Sequence, residues 1–188
     1  MAGREYRLRS ASGVFSADRL DPGTAVLLRK AELPGPDTTG CLLDLGCGYG
    51  AIACVLATMA PRATVHAVDV NTRAIELTRS NAMALGLTIV ASEPDAVPSE
   101  LVFGQIWSNP PIRVGKQELH ALLGRWLPRL APDGTAWLVV ARHLGADSLV
   151  PWLREQGYDV ARHASQQGFR VLRVYKSSDA TDLEQENL

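Results

Sequence analysis

Little in this chain points to a metal, an oxidising compartment or a bulk polyanionic partner. Three cysteines in 188 residues, Cys41, Cys47 and Cys54, are too few and wrongly spaced for a zinc cage. Their odd number, with no secretory leader in view, reads as reduced thiols in a cytoplasmic protein. The four histidines fall in no ligand spacing, so no metal is expected. No apolar run is long enough to cross a bilayer, which leaves no membrane partner to expect. Acidic and basic residues nearly cancel at a net charge of −1, so the global basic signature of a nucleic-acid binder is missing. No internal repeat is visible. What remains is the length and the 46% hydrophobic content of one compact domain with a sizeable core.

Apolar runs bounded by glycine, proline and polar clusters predict strands at about 41–45, 63–68, 87–91, 103–107 and 135–141. Helical patterns at about 50–60, 72–85, 117–127 and 147–156 alternate with them, which predicts a parallel sheet covered on both faces. Val160 to Ala164 and Gly168 to Tyr175 read as a closing hairpin around Gln166-Gln167. Ahead of the core, Tyr6 to Phe15 reads as a short strand pair and Pro22 to Glu32 as a helix. The expected organisation is one domain over residues 1–176, its first 36 residues packing on the core. A polar, acidic tail over 177–188 has too little apolar surface to order itself.

Leu42-Leu43-Asp44-Leu45-Gly46-Cys47-Gly48-Tyr49-Gly50 is the most informative stretch. It reads as a buried strand entering a glycine loop, where missing Cβ atoms let a ligand approach the backbone. The helix that follows aims its first amides at that loop. Gly46, Gly48 and Ala51 also satisfy the dinucleotide fingerprint G-x-G-x-x-A, so a nicotinamide-dependent oxidoreductase stays open here. Asp44 favours another ligand: its carboxylate repels a pyrophosphate and suits a cationic amino-acid end. Cys47, inside the loop, reads as a small neutral residue rather than a nucleophile. The next strand ends in Asp69, roughly twenty residues on, where an acid that accepts from both ribose hydroxyls is expected. Asn71 reads as the cap of the following helix.

The second informative stretch is Trp107-Ser108-Asn109-Pro110-Pro111-Ile112. Two prolines end the strand, each fixing its own φ and lacking an N–H. The product is a stiff loop that presents the Asn109 amide and a free carbonyl. Two such acceptors can hold both hydrogens of an exocyclic amine and favour a pyramidal nitrogen with its lone pair aimed at an electrophile.

These stretches resemble the class I S-adenosylmethionine-dependent methyltransferases. More narrowly, they resemble the small-domain group with RsmC-like enzymes, which methylate the exocyclic amine of guanine in small-subunit ribosomal RNA. The resemblance rests on Gly13-Val14-Phe15-Ser16, Leu20-Asp21-Pro22-Gly23-Thr24, Asp44 to Gly50, Asp69-Val70-Asn71, Ser108 to Arg113 and Gly168 to Leu172. It implies a Rossmann-like α/β fold, a mostly parallel seven-stranded sheet with a C-terminal antiparallel hairpin. It also implies S-adenosylmethionine as cofactor and ribosomal RNA as partner. Residue by residue, Asp44, Gly46, Cys47 and Gly48 would line the methionine end. Asp69 would hold the ribose, Val70 the adenine face and Asp95 the adenine amine. Asn109 and Pro110 would hold the target amine. Pro111 and Ile112 would line the substrate side, and Arg113 would meet a phosphate beside the target base. Ile112 replaces the aromatic residue common in adenine- and glutamine-amine methylators, in agreement with the guanine group.

The further basic residues Arg4, Arg7, Arg9, Lys116, Arg142 and His143 read as solvated surface. A protein glutamine or a small natural product remains an alternative acceptor, and a non-catalytic RNA-binding or partner-binding module an alternative of another class.

Overall fold

The computed structural model describes residues 5–11, 20–110, 115–142 and 146–177. In chain order the elements are α1 (Pro22–Lys30), β1 (Cys41–Leu45), α2 (Ala51–Met59), β2 (Thr64–Val68), α3 (Thr72–Ala84), β3 (Ile89–Ser92), β4 (Phe103–Ser108), α4 (Lys116–Trp126), β5 (Leu130–Ala141), α5 (Ala146–Glu155), β6 (Tyr158–Gln166) and β7 (Phe169–Lys176). They form one seven-stranded sheet of order β3-β2-β1-β4-β5-β7-β6. The first five strands in that order pair in parallel. β7 runs antiparallel to both β5 and β6. The expected sheet and hairpin are therefore present.

Strand side chains alternate between the two faces, and in the central strands β1, β2, β4 and β5 both faces are largely buried, which is why these read as mostly apolar runs. In β1, Leu43 and Leu45 face a core shared with Leu123 and Trp126 of α4 and Leu149 and Leu153 of α5. Leu42 faces the opposite core, with Val26 and Leu27 of α1, Ile52 and Leu56 of α2 and Ile75 of α3. Trp107, Trp126, Trp137 and Phe103 are essentially fully enclosed. Side chains of this size stabilise the fold by about 1.5–3 kcal/mol each relative to exposure.

Two elements differ from the sequence reading. β5 begins at Leu130 rather than near 135, because Leu130 pairs with Phe103 before the register shifts to pair Thr135 with Gln105. The Pro132-Asp133-Gly134 stretch, which precedes the expected strand, is carried within β5 at that irregularity. Residues 5–11 form no strand. The Arg9 amide donates to Asn81 Oδ1 (2.8 Å), and the Arg9 carbonyl accepts from Asn81 Nδ2 (2.9 Å). A side-chain amide on α3 thus takes the place of a partner strand. Residues 12–15 of the expected pair and residues 178–188 of the expected tail lie outside the described residues. Among the described residues, no helix is long and apolar enough to cross a membrane.

Candidate active site

β1 and β4 are adjacent, yet the chain leaves β1 toward β2 and leaves β4 toward β5. That reversal opens a crevice beyond the carboxyl ends of the two strands, the usual ligand site of an open α/β sheet. The Ser108 hydroxyl, fully buried, donates to the Leu45 carbonyl at 2.7 Å and ties the two strand ends together.

The glycine loop leaves β1 at this point. The amides of Gly46 and Cys47 both donate to the Val68 carbonyl, at 2.8 and 3.0 Å. Gly50 caps α2 at φ 85°, and a Cβ there would stand 2.9 Å from Thr78 Cγ2 and Oγ1. Gly46 and Gly48 also have positive φ, but among the described residues a Cβ on either would meet no atom within 4 Å beyond its own chain neighbours. Their open side is the cleft. From behind, the Thr78 hydroxyl donates to the Gly48 carbonyl (3.1 Å) and Asn81 Nδ2 to the Tyr49 carbonyl (2.8 Å). The loop is therefore held on its protein side and bare on the other.

Asp69 follows β2 and lines the cleft. Its Oδ2 accepts from the Gly48 amide and its Oδ1 from the Asn71 amide, each at 2.9 Å. A carboxylate has about four acceptor positions, so both oxygens keep capacity for a ligand. Asn71 caps α3 as expected, accepting from the Arg73 amide at 3.0 Å. Val70 is 82% exposed although aliphatic, and it lines the same cleft. Leu119, Leu122 and Trp126 of α4 form the facing wall of a cavity of about 650 Å³.

Asn109 stands where this cavity meets a smaller recess of about 30 Å³, bounded by Asp21, Thr24, Gly46, Gly48 and Tyr49. Its Nδ2 donates to Asp21 Oδ1 at 2.7 Å and to Thr24 Oγ1 at 2.9 Å. An ionised carboxylate only accepts, so the amino end of the amide must face Asp21. Asp21 is itself the N-cap of α1, accepting from the Thr24 amide at 2.9 Å with Pro22 at the first helical position. The sequence reading missed Asp21 and Thr24 as site residues. The Asp-Pro-Gly-Thr stretch entered only as part of the family resemblance, with no role given to either residue.

Asp44 is not brought into the cleft. It is fully buried beneath the loop and lines neither cavity. Its Oδ2 accepts from the Ala53 amide at 2.9 Å, and its Oδ1 has no partner. Burial pushes its carboxyl up to about 7, against the lowering effect of the Ala53 bond and with a smaller push from Asp69. Asp95 also faces elsewhere. It lies in the short 3-10 turn Pro94–Ala96, is 91% exposed and pairs with Arg125 at 2.7 Å, while its neighbour Pro94 is the one that lines the cleft. Cys47 is buried beside the recess, 3.5 Å from the Thr78 hydroxyl. Burial, followed by the charge of Asp44, holds its thiol well above the ordinary range. Pro110 is described and buried, whereas Pro111, Ile112 and Arg113 lie outside the described residues, as does His143. Among the described residues no group of histidine, cysteine or acid side chains could hold a metal.

A sheet of this order carries a glycine loop after β1, an acid after β2 and Asn-Pro after β4, which together define a class I methyltransferase. Its antiparallel β7 between β5 and β6 is foreign to the 3-2-1-4-5-6 dinucleotide-binding fold, which sets the oxidoreductase alternative aside. The family model of the methyltransferase small domain matches residues 5–173, and the chain belongs to that family. It is 35% identical over 177 residues to the uncharacterized protein YbxB of Bacillus subtilis, covering 92% of this chain and 87% of the relative. It is 38% identical over 163 residues to the ribosomal RNA small subunit methyltransferase C of Pseudomonas aeruginosa, covering 77% of this chain and 47% of that one. Among solved structures it resembles the 16S rRNA guanine-N2 methyltransferase (RsmC) of T. thermophilus, in complex with AdoMet and guanosine. The TM-score is 0.73 at 28% identity, covering 87% of this chain and 45% of that one. The chain thus spans about half the length of these ribosomal RNA methyltransferases.

Proposed function

We propose that this methyltransferase transfers the methyl group of S-adenosylmethionine to an exocyclic base amine, guanine N2 of ribosomal RNA. The observation that carries the reading is the orientation of Asn109. With both amino hydrogens given to Asp21 and Thr24, its Oδ1 is the end left for a target amine at the mouth of the cleft. Such an amine is a poor nucleophile because its lone pair is delocalised into the base. A fixed acceptor holds one N–H and favours the pyramidal nitrogen that can attack. Pro110, stiff and next in the chain, offers its carbonyl for the other.

The cleft fits the cofactor. Gly46 and Gly48 leave room where a Cβ would intrude, Asp69 keeps acceptor capacity for ribose hydroxyls, and exposed Val70 opposes Leu119 and Leu122 as a slot for a flat base. When bound, S-adenosylmethionine supplies both the electrophile and the leaving group. The protein's own work is then orientation and exclusion of water. The amine becomes acidic only as the N–C bond forms, so its proton can leave late to solvent without a dedicated strong base.

The RNA substrate and the guanine position draw support from the relatives named above and from the residue type at Ile112. Single-turnover transfer from labelled S-adenosylmethionine to small-subunit rRNA, with nucleoside mapping of the product, tests the reading. Asn109→Ala is expected to keep near-parental cofactor affinity and to lower the transfer rate by about a hundred- to a thousand-fold. Parental transfer by Asn109→Ala overturns the assignment of Asn109. Label on a protein glutamine or on another nucleoside, with none on guanine, overturns the substrate.

A further inference from the structure

We propose that Glu118 is a specificity-determining residue that accepts from the ring N1–H of the target guanine, beside the amine held by Asn109. The inference rests on transfer to guanine N2, as read above, and adds the group that selects that base.

Amine acceptors differ in what stands next to the nitrogen. The amines of adenine and cytosine adjoin ring nitrogens that carry lone pairs, and the amide of glutamine adjoins a carbonyl. Guanine sets its amine beside a ring N–H, so that edge offers two donors side by side. Enzymes that act on a base read such an edge by hydrogen bonds. Asn109 and Pro110 already present acceptors. Asn109 Oδ1 is the end left by the bonds of Nδ2 to Asp21 and Thr24, and Pro110 has a carbonyl but no N–H. Glu118 lies in the first turn of α4, is exposed, and lines the same cleft as Asn109. An ionised carboxylate only accepts.

The direction of α4 fixes which end of the cleft Glu118 serves. Arg125 also lines the cleft, and it is tied to Asp95 at 2.7 Å, next to Pro94. Glu118 stands about two turns earlier, on the same face of the helix and about 10 Å away along its axis. With Arg125 committed to the Pro94 end, Glu118 serves the opposite end, where the chain enters α4 from Asn109 and Pro110. A guanine with its amine on Asn109 Oδ1 then gives its N1–H to the long side chain of Glu118. A base with a lone pair at that place sets it against the carboxylate and is rejected.

Glu118→Ala and Glu118→Gln test this on an rRNA fragment carrying guanine, or 2-aminopurine, at the mapped target. 2-Aminopurine keeps the amine but has a lone pair at N1. Transfer is read at saturating S-adenosylmethionine and subsaturating RNA. The parent should prefer guanine, and Glu118→Ala should lower that preference by about ten- to a hundred-fold, through slower transfer to guanine. Glutamine can accept from N1–H or donate to a bare N1, so Glu118→Gln should recover part of the guanine rate and raise transfer to 2-aminopurine above the parent. Calorimetry with S-adenosylhomocysteine should give affinities within about two-fold of the parent for both variants, which shows the fold and the cofactor cleft intact. The same base preference in the parent and Glu118→Ala overturns the proposal alone. A loss of S-adenosylhomocysteine affinity equal to the loss of transfer also overturns it, by assigning Glu118 to the cofactor. A parent that binds S-adenosylhomocysteine but labels no guanine defeats the substrate reading first, and this proposal with it.

Discussion

The carboxylate of Asp69 accepts a 2.9 Å hydrogen bond from the amide of Gly48, so the acid at the end of β2 is also a strut of the loop after β1. A ribose seated on Asp69 would therefore meet a group already fixed by the loop and by the Asn71 amide. Fixing the acceptor in advance lowers the ordering cost of binding. It also means that a substitution at Asp69 removes ligand contacts and slackens the loop together.

Asp69→Ala should weaken S-adenosylmethionine by about ten- to a hundred-fold, the equivalent of about 1.5–3 kcal/mol for hydrogen bonds to a charged acceptor. Asp69→Asn should fall between, since one amide oxygen can replace only one of the two carboxylate acceptors. Calorimetric titration of the three proteins checks the order. Parental affinity in Asp69→Ala would reduce Asp69 to a loop strut alone.

Asp44 makes stability depend on pH. Its carboxyl is raised in the folded chain from 3.8 to about 7, so folding favours the protonated form. Stability contributed by protonated Asp44 is complete below pH 4 and is lost as pH rises toward 7, the reverse of an ion-paired acid. The loss is on the order of a few kcal/mol. Asp44→Asn cannot ionise yet keeps a carbonyl for the Ala53 amide, so its unfolding free energy should vary less between pH 5 and pH 8 than that of the parent. Urea titrations at the two pH values check this, and identical pH slopes in both proteins would sink it.

The strand–helix alternation was legible because the central strands β1, β2, β4 and β5 are largely buried on both faces and the loops carry glycine and proline punctuation. Gly46 ends β1 and Pro110 follows β4, so those boundaries fell within a residue or two of expectation. The N-terminal segment was not legible. Its backbone is satisfied by the side chain of Asn81, 72 residues away, and no local pattern encodes that partner. The site divides in the same way. Asp69 and Asn109 sit at strand ends, and strand ends are set by local sequence. The meeting of Asp21 with Asn109 spans 88 residues and arises only when α1 packs beside the end of β4. Asp44 was legible as an acid beside the glycine loop but not as one turned into α2, because alternation along a strand fixes the face and not the hydrogen-bond partner.

The cysteines should be inert in the native protein. Burial pushes Cys54 up to about 12, assisted by Asp44, and raises Cys41 as well, while Cys47 is held well above the ordinary range. Only a thiolate reacts readily, so a disulfide reagent at pH 8 should titrate the native chain slowly and release three equivalents at once in denaturant. Cys47→Ser should keep transfer near the parental rate. Rapid modification of one native thiol with loss of cofactor binding would show Cys47 to be exposed and reactive.

Asn81 joins three segments through one side chain and should be the most costly polar residue to remove. It is 1% exposed, yet its amide accepts from the Arg9 amide and donates to the carbonyls of Arg9 and Tyr49. Asn81→Leu keeps the branched shape and the number of heavy atoms, though it is bulkier, and would leave those three backbone groups without their partner. Each buried group left unsatisfied costs about 1–3 kcal/mol, but the segment holding Arg9 can detach and recover water. The expected loss is therefore about 2–3 kcal/mol in urea unfolding, close to one group's penalty rather than the sum of three. Detachment has its own signature, because Arg7 and Arg9 would become accessible to trypsin well below the unfolding transition. The Tyr49 carbonyl cannot detach in that way, so cofactor affinity should fall as the glycine loop loses its support. A variant with parental stability and parental resistance at Arg7 and Arg9 would mean that the N-terminal segment is held by the packing of Tyr6 and not by this amide.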